Sequence, residues 1–127
     1  MKLASFRLVT GDLAALTAFY EILTGVTPVA PFGDGYAEVR VPGCVLAFVS
    51  QRGVDDYNAG AATAAANRSA ILEFEVDDVD AERMRLGTTL ADWVQEPTTS
   101  PWGNRSMLFR DPDGNLINLY TPLRPAS

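Results

Sequence analysis

Short stretches of alternating apolar and polar residues, separated by stretches of helical period, occur in the same order twice along the chain. Leu3 to Thr10 alternates, with Phe6 and Leu8 on one face and Ser5, Arg7 and Val9 on the other, which predicts a strand. Asp12 then stands at a helix N-cap position. Leu13, Leu16, Tyr20 and Leu23, joined by Phe19, form an apolar stripe at helical spacing, and Gly25 is placed to end it. A short extended piece around Val26 to Val29 and a loop with Pro31, Gly33 and Gly35 lead to two more strands, Tyr36 to Val41 and Val45 to Ser50. Pro42-Gly43 between them predicts a hairpin. The first half therefore reads βαβββ, ending near residue 50.

Residues 51–69 break the pattern. They mix charge and glycine with the Ala-rich run Ala59 to Ala66, show no strong amphipathic stripe, and read as a linker, a short helix or a flap. From residue 70 the first order returns. Ile71 to Val76 predicts a strand with Leu72, Phe74 and Val76 on one face. Asp77 or Asp78 caps a helix carrying Val79, Leu86 and Leu90, which Gly87 weakens by about 1 kcal/mol relative to Ala. A short strand about Trp93 to Gln95 and a loop with Pro97 and Pro101 follow. The chain closes on a hairpin, Ser106 to Arg110 and Leu116 to Thr121, around Asp-Pro-Asp-Gly, where Pro112 presets the turn and Gly114 supplies a positive φ. The second half, 70–127, is again βαβββ. Two such units side by side predict an α+β fold: a curved mixed sheet with helices on its outer face and a concave inner cleft.

The 127 residues are 47% hydrophobic, enough for a single domain with a sizeable core. No apolar run approaches the roughly 20 residues that span a bilayer, and no leader pattern opens the chain, so a cytoplasmic protein without membrane contact is expected. The formal charge is -6, with ten basic residues scattered along the chain, which argues against nucleic acid as a partner. Acidity is compatible with a cationic ligand, though at this charge general solubility is the better account of it. Cys44 excludes an internal disulfide, and its apolar neighbours predict a core thiol. Histidine is absent altogether, which removes the commonest metal ligand and the usual general base near neutral pH.

The segments TGDLAALTAFYEILTG, ILEFEVDDVDA and PWGNRSMLFRDPDGNLINLYTP together resemble the vicinal-oxygen-chelate superfamily, which contains glyoxalase I, bleomycin-resistance proteins and extradiol dioxygenases. The resemblance implies paired βαβββ modules, frequent homodimers, and, in the family's enzymes, a divalent metal held by His, Gln or Glu from the first and last strand of each module. Those four positions match Ser5, a residue on or beside Ala47, Ile71 and Asn118. Two of these have no donor atom and two are neutral and weak, so no metal, no cofactor and none of the family's metal-dependent reactions is expected.

Strand alternation places Ser5, Arg7, Val9 and Ala47 on the inner face of the first module, and Ile71, Glu73, Glu75, Asn118 and Tyr120 on that of the second. The resemblance brings the Arg7 strand near the strand of Glu73 and Glu75. That cluster reads either as a self-neutralising ion pair or as an anion-binding Arg7 beside a glutamate that moves a proton, the latter requiring burial to raise its pKa. Trp102, in SPWGNRS, resembles the aromatic of the drug-pocket loop in bleomycin-resistance proteins and reads as a stacking residue, a packing residue or a dimer contact. Tyr36 and Trp93 are further candidates for ligand contact, with Trp93, at an apolar strand position, expected in the core. The leading expectation is a metal-independent small-molecule binder, with antibiotic sequestration as one form. Candidate ligand contacts are Ser5, Arg7, Ala47, Ile71, Glu73, Trp102, Asn118 and Tyr120. The alternatives are a metal-independent isomerase or lyase using Arg7 with Glu73 or Glu75, and an accessory domain for a protein partner.

Overall fold

The computed structural model describes residues 1–31, 33–90 and 92–123; residues 124–127, the end of the expected second module, lie outside the described residues. The chain forms two compact units, Met1–Asn67 and Arg68–Ser127. The first contains β1 (Ser5–Thr10), α1 (Leu13–Thr24), β2 (Tyr36–Val41), β3 (Cys44–Ser50) and α2 (Gln51–Tyr57). The second contains β4 (Ile71–Glu75), α3 (Val79–Leu86), β5 (Trp93–Thr99), β6 (Asn104–Arg110) and β7 (Leu116–Pro122). The fold is α+β, with a mixed three-stranded sheet of order β1-β3-β2 in one unit and a mixed four-stranded sheet of order β4-β7-β6-β5 in the other. No helix of the described residues is long and apolar enough to cross a membrane.

In the first unit α1 starts and stops where the sequence places its caps. The Asp12 side chain accepts from the Ala15 amide, and Gly25, at φ 71°, gives its N–H to the Glu21 carbonyl. Leu16, Tyr20 and Leu23 are buried, and Tyr20 stacks on Phe48 with ring centroids 5.1 Å apart. Phe48 belongs to the face of the sheet formed by Leu8, Phe48 and Ala37 in one row and Phe6, Leu46 and Val39 in the next. α1 thus covers that face and leaves the other to β1, β3 and β2 side chains of the opposite parity.

The sequence predicts one more strand here than the structure contains. Val29 makes only an isolated bridge to Glu38, exchanging both backbone hydrogen bonds with it at 2.9 and 2.8 Å. Pro28 and Pro31 flank Val29, and without their N–H groups the pairing does not extend. Cys44 also departs from expectation. It opens β3 beside the Pro42-Gly43 turn and is half-exposed, because the first residue after a two-residue turn lies at the sheet margin.

The segment 51–69 begins with the helix α2, whose N-cap Ser50 accepts from the Gly53 amide. The Ala-rich run that follows has no helix. Its backbone is instead tied down by Gln51, whose amide donates to the Ala62 carbonyl at 3.1 Å and accepts from the Ala64 N–H.

In the second unit Asp78 caps α3, accepting from Ala81, and the helix ends at Leu86, so that Gly87 is its C-cap rather than an interior residue. Leu90, beyond the helix, is still buried. The sheet turns Leu72, Ile117 and Phe109 in one row and Phe74, Leu119 and Met107 in the next to one face, of which Ile117, Phe109, Leu119 and Met107 are fully enclosed. β5 is longer than the sequence suggests and irregular: its register against β6 shifts twice, and Pro97 is tolerated because β5 is an edge strand.

Candidate functional site

The face of the first sheet opposite α1 is a grid set by register, with α2 beside Val49 at one end. Ser5, Val45 and Arg40 form one row, Arg7, Ala47 and Glu38 the next, and Val9, Val49 and Tyr36 the third. Glu38 is nearly enclosed, with 8% of its surface exposed. A carboxylate can be kept there because both its oxygens are occupied: Oε2 accepts from the Tyr36 hydroxyl at 2.8 Å and Oε1 from Arg40 Nε at 2.7 Å. The Tyr36 hydrogen bond, followed by that of Arg40, holds the Glu38 carboxyl below its usual range. Burial, reinforced by the neighbouring Glu38, raises the Tyr36 phenol above its ordinary value, while Arg7 and Arg40 pull it the other way.

Arg7 differs from Arg40. Its side chain is exposed, and it has no ion-pair or hydrogen-bond partner among the described residues; the same holds for the Ser5 hydroxyl two residues earlier on the same face. Between Arg7 and Glu38 lies Ala47, 1% exposed, whose methyl group is the whole side chain at that point of the grid.

On the corresponding face of the second sheet, Ile71, Leu116 and Arg110 form one row, Glu73, Asn118 and Leu108 another, and Glu75, Tyr120 and Ser106 a third. Asn118 Nδ2 donates to Glu73 Oε1 at 3.4 Å, whereas Asn118 Oδ1 is buried without a hydrogen-bond partner. Glu73, Glu75 and Ile71 are exposed and Tyr120 is half-buried. The nearly enclosed glutamate is therefore Glu38, and neither Glu73 nor Glu75 has the burial expected of a proton-transferring glutamate. Trp102 is 80% exposed in the β5–β6 loop. Trp93 is only half-buried: it meets Phe109 edge-on, and the Arg83 guanidinium lies 4.0 Å from its ring centroid.

Strand parity thus places the sequence candidates on one face of each sheet as expected: Ser5, Arg7 and Ala47 in the first unit, Ile71, Glu73, Glu75, Asn118 and Tyr120 in the second. Glu38 and Arg40 join the first set only through cross-strand pairing. The sequence carries the signal for this, since the two-residue Pro42-Gly43 turn fixes the β2–β3 register and sets Glu38 opposite Ala47, but alternation along β1 and β3 alone does not reach β2.

A βαβββ unit preceded by a related βαββ unit, each a mixed sheet with a capped helix after its first strand, defines a known class. The sequence model of the Glyoxalase/Bleomycin resistance protein/Dioxygenase superfamily matches residues 2–119, and the chain belongs to that family. A glyoxalase/bleomycin resistance protein/dioxygenase from Nocardioides superposes with a TM-score of 0.80 at 23% identity, covering 100% of this chain and 87% of that one. A family enzyme from Burkholderia phytofirmans PsJN gives 0.85 at 17% identity, with 97% and 100% covered. A glyoxalase-related enzyme from Fulvimarina pelagi gives 0.79 at 22% identity, with 95% and 88% covered. At these identities the likeness establishes the fold alone. No curated protein matches the sequence.

The family's enzymes imply a divalent metal, and the residues present do not fit one. Ala47 is a methyl group and Ile71 an alkyl chain at two of the four matched positions, and Ser5 and Asn118 offer only neutral oxygens. Among the described residues no three His, Cys, Asp or Glu side chains come together in a way that could hold a metal ion. Glu38, the nearest carboxylate to Ala47 in the grid, has both oxygens engaged by Tyr36 and Arg40.

Proposed function

We propose that the chain is a metal-independent small-molecule binding protein of the glyoxalase/bleomycin-resistance type, working as a cytoplasmic homodimer and receiving its ligand on the sheet face that carries Arg7. The observation that carries this reading is the first-unit grid. It lacks the donors a metal needs and has an exposed, unpartnered guanidinium beside a preorganised Tyr36–Glu38–Arg40 clamp. Fixed polar groups on an otherwise apolar surface are the usual makings of a ligand site. Antibiotic sequestration is one form of this function, with Trp102 available to stack on an aromatic group.

The test is a thermal-shift panel of small organic ligands, including aromatic and glycopeptide antibiotics, run before and after exhaustive chelation. Stabilisation by at least one compound, unchanged by chelation, is expected, since a ligand that binds only the native state raises its stability. Stabilisation that vanishes with the metal contradicts the reading. The enzyme alternative, an isomerase or lyase with Arg7 and Glu73 or Glu75, is favoured by the free Arg7 side chain and disfavoured by the exposure of both glutamates. It requires that Glu73→Gln abolish turnover without loss of folding.

A further inference from the structure

We propose that Arg7 and Ser5 of β1 form a receptor for the carboxylate of a small monocarboxylic acid, whose apolar body lies against Val45 and Val9. This rests on the small-molecule reading above and assigns its ligand class. Local charge is the first argument. Although the chain as a whole is acidic, the first-unit grid holds two arginines and one glutamate, and Arg40 is spent on Glu38. One guanidinium remains uncompensated on that face, which matches a ligand of single negative charge better than a phosphate monoester carrying nearly two.

Available donors are the second argument. Arg7 offers the planar fork that fits the two oxygens of a carboxylate, and the Ser5 hydroxyl lies on the same face of the same strand. Neither has a side-chain partner among the described residues. Tyr36, by contrast, has its proton committed to Glu38. The Tyr36–Glu38–Arg40 clamp therefore acts as a positioning element. By neutralising Glu38 it keeps that carboxylate from turning to Arg7, which lies across Ala47 at roughly two strand spacings, about 10 Å between Cα atoms.

Shape is the third argument. Ala47 and Val49 are enclosed, the latter beside Gly53 of α2, so the apolar surface next to Arg7 and Ser5 is that of half-buried Val45 and Val9 in the adjoining rows. With a cation on one side, that surface suits a carboxylate joined to a compact hydrocarbon or aromatic body.

The experiment is a backbone amide NMR titration of the intact protein with three isosteric probes: benzoate, neutral benzamide and cationic benzylammonium. Benzoate is expected to bind most tightly, with the largest shifts in β1 and β3. Arg7→Met is expected to weaken benzoate by roughly tenfold or more, as loss of a charged hydrogen-bonded contact does, while leaving benzamide nearly unchanged. Arg7→Lys should retain an intermediate affinity. Both arginine substitutions are at an exposed side chain, and an unchanged amide spectrum checks their fold. Equal affinity for benzoate and benzamide, preference for benzylammonium, or indifference of benzoate to Arg7→Met overturns the carboxylate assignment and leaves the binding reading standing. No binding by any of the three probes, together with no hit in the thermal-shift panel, overturns both.

Discussion

Glu38 illustrates how a single charged residue is kept in a nearly closed position on a sheet. Its neighbours in the same grid supply a phenol and a guanidinium, so that both oxygens are satisfied, and the ionised form is favoured over the acid. A carboxyl group whose folded pKa is lowered contributes stability that is present above its ordinary value, 4.5, and lost as pH falls below that toward the lowered value. Glu38→Gln should therefore lower stability at neutral pH by about 1–3 kcal/mol and show a shallower loss on acidification, measured by denaturant unfolding from pH 7 to pH 3. An unchanged acid limb would place the acid sensitivity elsewhere. Tyr36 titrates in the opposite sense. Its folded pKa lies above 10.0, so the stability it adds is present below that value and lost as pH rises through the raised one. Absorbance titration of phenolate should show a late-ionising component that is lost in Tyr36→Phe.

At the scale of elements, the closing hairpin shows why some local words are legible. Asp111, buried, accepts from the Asp113 and Asn115 amides through Oδ1 and from the Asn115 side chain through Oδ2, and Gly114 sits at φ 84°. Aspartate, proline and glycine at those places each have a geometric job, so the turn and the register of β6 on β7 follow from the residues themselves. Asp111→Ala leaves two backbone donors and a side-chain amide without that acceptor, and should cost about 2–4 kcal/mol by thermal or urea unfolding. Gly25→Ala, in a left-handed cap with nothing within 4 Å of the added methyl, should cost about 1 kcal/mol from backbone strain alone. Where elements differ from expectation, the causes are of two kinds. The strand expected at Val29 shrinks to one bridge between flanking prolines and α3 stops at Leu86 with Gly87 as its cap, both local effects, whereas β5 extends through Pro97 only because it lies at a sheet edge.

For the molecule as a whole, the two-fold recurrence of strand, capped helix and hairpin was readable from period and capping residues, and so was the face on which each candidate lies. The partners within each face were not. Which acid meets which base depends on pairing across strands, and so the Tyr36–Glu38–Arg40 clamp emerged only with the register in hand. The central claim is that this family member binds an organic ligand without a metal. Native mass spectrometry of the freshly purified protein, followed by its denatured mass after incubation with zinc, nickel and magnesium ions, tests it most directly. The account predicts either a bare chain or added mass of an organic acid lost on denaturation, with no stoichiometric metal in either case. A single divalent ion per chain, retained through desalting and lost on denaturation, would contradict it.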